Sequence, residues 1–382
     1  MTPDDLHSAI QRFVDETVLP NVAEWDRADD LPGWALGRLV ELGLSGAMVP
    51  TEYGGRGYGV ADLVAPWRTL SQGWISLTGA VNPTGLATAL LVRHGTEEQR
   101  ERWLPGIARG EILASFSITE PQAGTDLHRL ETSGRRLEGK RGVCLDGEKR
   151  WVAGGASSDV VFLMAGIEGS EKPSCVVLPR EGRGSAEWQV TELDKVGYRG
   201  VESAAYVFDG FRSAGAEILG GDDGIGSGAR QMLDALDVGR VNVACRALGI
   251  LDRCLACAVD ESVGREIGDG VLGDHTHAQL RVGELIVKRD AALALIERAA
   301  AAVDARDAAQ ARELSTAAKL FASDAAVAAV DAAARLAASR SYAAGDELAR
   351  LRRDAPQTQI GEGANDALLM ALARPALAAA SG

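Results

Sequence analysis

Apolar residues recur every third or fourth position through the first part of the chain, notably from Asp5 to Val18 and from Trp34 to Leu42. That spacing predicts helices with one buried face. Thr96-Glu97-Glu98-Gln99 has the form of a capping box and predicts a helix start running through Leu104. From about Ala114 to Arg212 the pattern shortens. Runs such as Val160–Met164, Cys175–Leu178 and Ala204–Phe208 alternate with Gly, Asp and Ser turns. These predict strands in a compact β domain. Beyond Gly228 the helical spacing returns over Gln231–Val259, Ala278–Val303 and Ala311–Arg340, long and Ala-rich, as in a helical bundle. Segregated helices and strands exclude a simple doubly wound fold. The predicted class is a multi-domain α+β chain: an N-terminal α-helical domain (1–112), a middle β-barrel or sandwich domain (113–216) and a C-terminal helical bundle (217–382).

The Gly-rich stretch Glu52-Tyr53-Gly54-Gly55-Arg56-Gly57-Tyr58-Gly59 follows no predicted strand, so it reads as a structural turn rather than a nucleotide loop. Composition narrows the picture. The 382 residues are 46% hydrophobic and 25% charged, with a net charge of −14. An acidic balance argues against a general nucleic-acid binder. The pattern predicts no run near the ~18 apolar residues of a membrane span. The acidic opening Met1-Thr2-Pro3-Asp4-Asp5 has no apolar signal core, so a cytoplasmic location is expected. Five sparse cysteines argue against a disulfide framework. Cys254 and Cys257 have CxxC spacing but sit in a helical pattern with no second pair, which favours packing. His275 and His277 lack further ligands nearby, and no metal is predicted.

One acid stands out. Glu362 is framed by Gly361 and Gly363 after an Ala-rich helical region. Glycine flanks let the backbone pass close to a ligand. By itself this pattern fits a catalytic base or a helix-terminal charge.

Phe116-Ser117-Ile118-Thr119-Glu120-Pro121-Gln122-Ala123-Gly124-Thr125-Asp126 resembles the flavin-contacting signature of the acyl-CoA dehydrogenase family. The likeness extends over nearly the whole chain. His94-Gly95-Thr96 through Trp103-Leu104-Pro105 precedes the signature as in that family. Gly147-Glu148-Lys149-Arg150-Trp151-Val152, Lys195-Val196-Gly197-Tyr198-Arg199-Gly200 and Asp237-Val238-Gly239-Arg240 follow in order. Arg353-Asp354-Ala355 then stands at the family spacing before Glu362. The resemblance implies the family fold, with a four-helix bundle at the C-terminus, and FAD as cofactor. It implies α,β-dehydrogenation of an acyl thioester carried on CoA or an acyl carrier protein: Glu362 removes the α-proton and flavin N5 takes the β-hydride. An electron acceptor such as an electron-transfer flavoprotein, and a homo-oligomer (dimer or tetramer), are implied as partners. The Ala-rich helices carry more apolar surface than one bundle needs. No nucleic acid or membrane is expected as partner.

By the same resemblance, Phe116, Ile118, Thr119, Gly124 and Thr125 contact the cofactor, with Ile118 and Thr119 at the pyrimidine edge. Trp151 stacks on the isoalloxazine, and Ala153 presents its N–H to N5. Arg265, Arg335, Ser339, Ala364 and Asp366 complete the cofactor contacts. Thr125, Asp237, Arg240 and Gly363 bind substrate, with Arg240 held by Asp237 near the pantetheine or nucleotide. An (i, i+3) Asp–Arg pair is equally the pattern of a solvated ion pair.

Three departures from the family pattern matter. Ala153 replaces a hydroxyl-bearing residue after Trp151. The stretch Arg335 to Ser341 lacks the glycines of the loop that grips a neighbouring subunit's FAD, leaving Arg335 and Arg340 as substitutes to pair the pyrophosphate. Arg265-Glu266-Ile267-Gly268 and Ala364 keep only traces of their motifs. Such drift fits a specialised paralogue, as in bacterial secondary metabolism. It leaves open a flavin-dependent thioester oxidase or hydroxylase-like enzyme, or a non-catalytic member with weakened FAD binding. Arg129, Arg135, Arg136, Lys140 and Arg141 form a basic run that suits an acidic carrier protein, and equally a solvated face.

Overall fold

The computed structural model describes residues 1–124, 126–137 and 142–380. The N-terminal layer consists of α1 (Pro3–Phe13), α2 (Leu19–Ala28), α3 (Gly33–Glu41), α4 (Val60–Gly73), α5 (Ile75–His94) and α6 (Glu97–Ala108). Caps read from the sequence form as expected: Thr96 Oγ1 accepts from Gln99 N while Gln99 Oε1 accepts from Thr96 N. The Gly-rich stretch is a turn following a short helical turn at Thr51–Tyr53.

α5 corrects one expectation. Its apolar content and 20-residue length do reach what a membrane span requires, but 83% of the apolar window is buried inside the protein. A helix apolar on most faces is what a central core helix needs.

The strands are β1 (Ala114–Ser117), β2 (Ser133–Arg136), β3 (Val143–Ala153), β4 (Val160–Ile167), β5 (Pro173–Pro179), β6 (Trp188–Glu192), β7 (Ser203–Ser213) and β8 (Glu217–Ile218). They form a sheet in the order β6-β7-β3-β2-β4-β5-β8, with β1 parallel to β4. Side chains alternate between faces along a strand. On β4 and β5 this sends Phe162, Met164, Cys175 and Val177 against the helices. Val161, Leu163, Val176 and Leu178 face inward onto a second core around Trp188, Tyr206, Phe208 and Phe211. β4 and β5 are therefore buried on both sides and read as near-continuous apolar runs.

The C-terminal layer opens with α7 (Gly228–Gly264) and, after the short pair β9 (Glu266–Ile267) and β10 (Gly270–Val271), continues with α8 (Thr276–Asp304), α9 (Ala308–Ala337), α10 (Glu347–Ile360) and α11 (Asn365–Ala380). α7 packs against α4, α5, α8 and α9. It is buried on most sides, so polar residues on it report on interior chemistry. α9 stops at Ala337, short of the expected Arg340, because Ala338 turns to φ 52°. Cys254 and Cys257 lie on α7 as free thiols; burial raises the pKa of both.

Candidate active site

After α10 ends at Ile360, the chain makes an abrupt corner. Glu362 adopts φ 53° and Gly363 φ 110°. A non-glycine residue in the left-handed region is held there only when its surroundings over-determine it. Those surroundings come from three helices. Asn82 of α5 donates its amide to Glu362 Oε1 at 2.8 Å. Gly239 of α7 lies so close that a Cβ there would sit 2.9 Å from Glu362 Cδ. Arg240 Nε donates to the Glu362 carbonyl oxygen at 3.3 Å. Lys319 of α9 donates through Nζ to Gly363 O at 2.7 Å, Gln359 O at 3.0 Å and Asn365 Oδ1 at 2.6 Å.

The Asp237–Arg240 pair is not a solvated ion pair. Both side chains are buried and 3.1 Å apart. Asp237 also accepts from Arg312 Nε at 2.8 Å and Ser315 Oγ at 3.1 Å, and Arg240 donates to Thr316 Oγ1 at 3.3 Å. Burial pulls the Arg240 pKa down and Asp237 opposes the fall. The result is a fixed guanidinium aimed at the Glu362 backbone. Lys319 is fully buried; burial drives its ammonium down to about 7, with Glu362 opposing and Arg240 adding to the drop.

Other expected cofactor contacts lie in the middle domain. Glu120 and Lys149 form a buried ion pair at 2.7 Å. Glu120 also accepts from the N–H groups of Glu131 and Thr132, and Lys149 donates to Ile118 O at 3.1 Å. Burial brings Lys149 down to about 8 against the pull of Glu120. This pair fixes the strand end carrying Ile118 and Thr119. Arg150 N donates to Thr119 O at 2.8 Å, tying the next residue, Trp151, to the same edge. Trp151 lies at a register break between β3 and β7 and adopts φ 61°. Such an irregularity re-aims a side chain out of the sheet. Trp151 is 57% exposed although it lies within β3. An open flat apolar face one residue from the Arg150–Thr119 backbone bond suits a planar heteroaromatic ring that stacks on it. The buried Ser117 Oγ on β1 has no partner among the described residues.

Several expected residues fall elsewhere or await a partner. Phe116 pairs with Phe162 on β1 and β4, and Ala153 O accepts from Ser115 Oγ at 3.0 Å. Gly124 is exposed, and Thr125 lies outside the described residues. Ala364 is half-buried and Asp366 exposed, both just past the corner. Arg265, Arg335 and Ser339 are not near Glu362 in this chain. Lys319 touches the corner, and Arg335 lies about 24 Å further along α9 at 1.5 Å per residue. Arg265 donates to Leu336 O at 3.0 Å, Arg335 pairs with Asp331, and Arg340 pairs with Glu261. The two arginines expected to meet the pyrophosphate are thus engaged within the chain. Of the basic run, Arg129, Arg135 and Arg136 are exposed, Arg136 pairing with Asp222, while Lys140 and Arg141 lie outside the described residues.

A cavity of about 620 Å³ opens away from Glu362, beside Asp26, Arg199, Arg253, Glu347, Arg350 and Arg353. Two of its acids already pair with its arginines, Glu347 with Arg253 and Arg350 and Asp26 with Arg353, and Asp346 caps α10 by accepting from Leu348 N. We therefore keep the chemistry at Glu362.

Asn82 and Lys319 escaped the sequence reading. Their signal was there: each interrupts an apolar helical stripe at a position facing the core. Polarity at a core position is informative because an unsatisfied polar group is costly to bury.

These features meet the acyl-CoA dehydrogenase pattern in three successive domains. The N-terminal domain model of that family matches residues 3–111, the middle domain model residues 115–211 and the C-terminal domain model residues 226–377. Mitochondrial isobutyryl-CoA dehydrogenase of Dictyostelium discoideum is 27% identical over 365 residues, covering 95% of this chain and 86% of that protein. The structure of butyryl-CoA dehydrogenase from Megasphaera elsdenii superposes with a TM-score of 0.91 at 25% identity over 98% of both chains. The glutaryl-CoA complex of glutaryl-coenzyme A dehydrogenase gives 0.90 at 26% identity, covering 98% of this chain and 95% of that one. With all three domain models matching in order across the fold just described, the chain belongs to the FAD-dependent acyl-CoA dehydrogenase family, an oxidoreductase family.

Proposed function

We propose that this enzyme introduces a double bond between Cα and Cβ of an acyl thioester, with Glu362 as the base. The observation that carries this reading is the corner itself: a carboxylate held at φ 53° by Asn82, Arg240 and Lys319 from three different helices. Asn82 occupies one carboxylate oxygen and leaves the other to receive the α-proton. A backbone N–H at a fixed corner can stabilise the enolate oxygen as in an oxyanion hole. Arg240, gripping the carbonyl of the same residue, fixes the orientation of that corner.

Trp151, Ile118, Thr119, Phe116 and Ala153 would hold the flavin against the β domain, with Gly124 and Thr125 toward its phosphates. Bound FAD supplies the acceptor for the β-hydride. Arg265, Arg335 and Ser339 sit too far away in their own chain, so we assign them to the cofactor of a second copy in a homo-oligomer. The acyl group would arrive on CoA or a carrier protein, with an electron-transfer flavoprotein as a suitable acceptor of the electrons.

The test is Glu362→Gln in the FAD-loaded protein, followed by anaerobic bleaching of the flavin with acyl-CoA. Flavin absorbance should persist while the bleaching rate falls by at least about 10²–10⁴, the usual contribution of a general base. Unchanged bleaching would remove Glu362 from the role.

A further inference from the structure

Arg246 of α7 is 2% exposed and forms no ion pair among the described residues. The other deeply buried arginines do: Arg240 has Asp237 and Arg350 has Glu347. Its contacts are neutral. Nε donates to Asn242 Oδ1 at 2.9 Å, and an Nη donates to the Tyr198 hydroxyl at 3.1 Å, with the guanidinium 5.4 Å from the Tyr198 ring. A buried cation without a counter-charge is expensive, on the order of several kcal/mol.

Two further donors beside it lack an acceptor, although the buried Asp354 holds Tyr198 N through Oδ1 at 2.7 Å and keeps Oδ2 without a partner among the described residues. Asn242 Nδ2 is buried with no partner. The Tyr198 hydroxyl accepts from Arg246, and its own hydrogen has no acceptor among the described residues. Adding an acceptor-rich anion would satisfy all three groups.

This cluster is continuous with the base. Asn242 lies one helical turn beyond Gly239, which abuts Glu362 Cδ. Gly79 lies one turn before Asn82 on α5, and a Cβ at Gly79 would meet the Tyr198 hydroxyl at 1.8 Å. Glu362, Asn82, Tyr198, Arg246 and Asn242 therefore lie on adjoining turns of α5, α7, the 195–200 turn and the Glu362 corner. Burial raises the Tyr198 pKa, and the Glu362 charge adds to that rise.

Building on the acyl-thioester reading, we infer that Arg246, Asn242 and Tyr198 bind a carboxylate at the far end of the acyl group, so that the substrate is a dicarboxylic acid monothioester. The Arg246 side chain leans back toward Asn242, so its guanidinium sits about one turn, roughly 5 Å, along α7 from the level of the base. That separation suits a short diacid of about four to six carbons.

The test uses the FAD-loaded enzyme and the CoA thioesters of butyrate, succinate and glutarate, reading kcat/KM for anaerobic flavin bleaching. At least one diacid thioester should exceed butyryl-CoA by tenfold or more. In Arg246→Met this ratio should fall at least tenfold toward one, and in Arg246→Lys less far. Tyr198→Phe, which keeps the ring and the charge, should lower the ratio by a smaller factor and serves if the Met variant does not fold. A wild-type preference for butyryl-CoA, or a ratio that none of these variants changes, overturns the inference alone. Failure of every thioester to bleach the flavin overturns the acyl-thioester reading with it.

Discussion

Replacing Lys319 with Met tests whether the Glu362 corner is held from outside. Methionine keeps the length and apolar stem but donates nothing. Gly363 O, Gln359 O and Asn365 Oδ1 would each lose a donor now at 2.6–3.0 Å. An unsatisfied buried acceptor costs about 1–3 kcal/mol. Leaving a non-glycine residue in the left-handed region costs a similar amount, about 1–3 kcal/mol. The two are comparable, so without Lys319 the corner should relax and Glu362 should swing off the Asn82 amide. A displacement near 1 Å can cost about 10² in rate. Stopped-flow bleaching should therefore slow by about that factor while KM changes little.

The same residue predicts a pH dependence. The Lys319 pKa is about 7 in the folded chain, against 10.5 when unperturbed. Between those values the unfolded chain binds more protons than the folded one. Stability from this site therefore rises with pH through the window, by about 1.4 kcal/mol per unit as an upper limit. Thermal melts of wild type and Lys319→Met at pH 6.5 and pH 9 should diverge at the higher pH. Wild-type bleaching by Lys319→Met, or a melting gap that narrows as pH rises, would refute the reasoning.

Gly239→Ala places a methyl against the carboxylate and Leu86, so bleaching should fall by about 10² and the melting temperature should fall modestly, because overpacking costs about 1–3 kcal/mol against the ~1 kcal/mol by which alanine favours a helix over glycine; a normal rate would show that the carboxylate does not need that space. Lys149→Met strands Glu120 in the core. It should destabilise the fold by about 3–5 kcal/mol in chemical denaturation and loosen the Ile118–Thr119 edge, seen as weaker FAD retention on gel filtration. Melts matching wild type would place the stabilisation of that strand elsewhere.

The order of helices, strands and helices was legible because it rests on local periodicity and turn chemistry. The Thr96 cap and the strands at 160–167 and 173–179 follow from neighbouring residues alone. Glu362 stood out in the sequence through its glycine frame, and Thr119 and Trp151 each through a motif of adjacent residues. The partners of those residues did not, because they come from positions distant in sequence that only folding brings together. Asn82 reaches Glu362 across 280 positions, and Asp237, which the sequence left between a solvated ion pair and an anchor for Arg240, is the buried partner of two arginines. The loss of charge balance at Arg246 is likewise invisible in one dimension: an arginine's counter-charge is a matter of which helices surround it, not of which residues precede it. Local chemistry set the elements and singled out the Glu362 carboxylate; the packing of α5, α7 and α9 around one corner decided what holds that carboxylate.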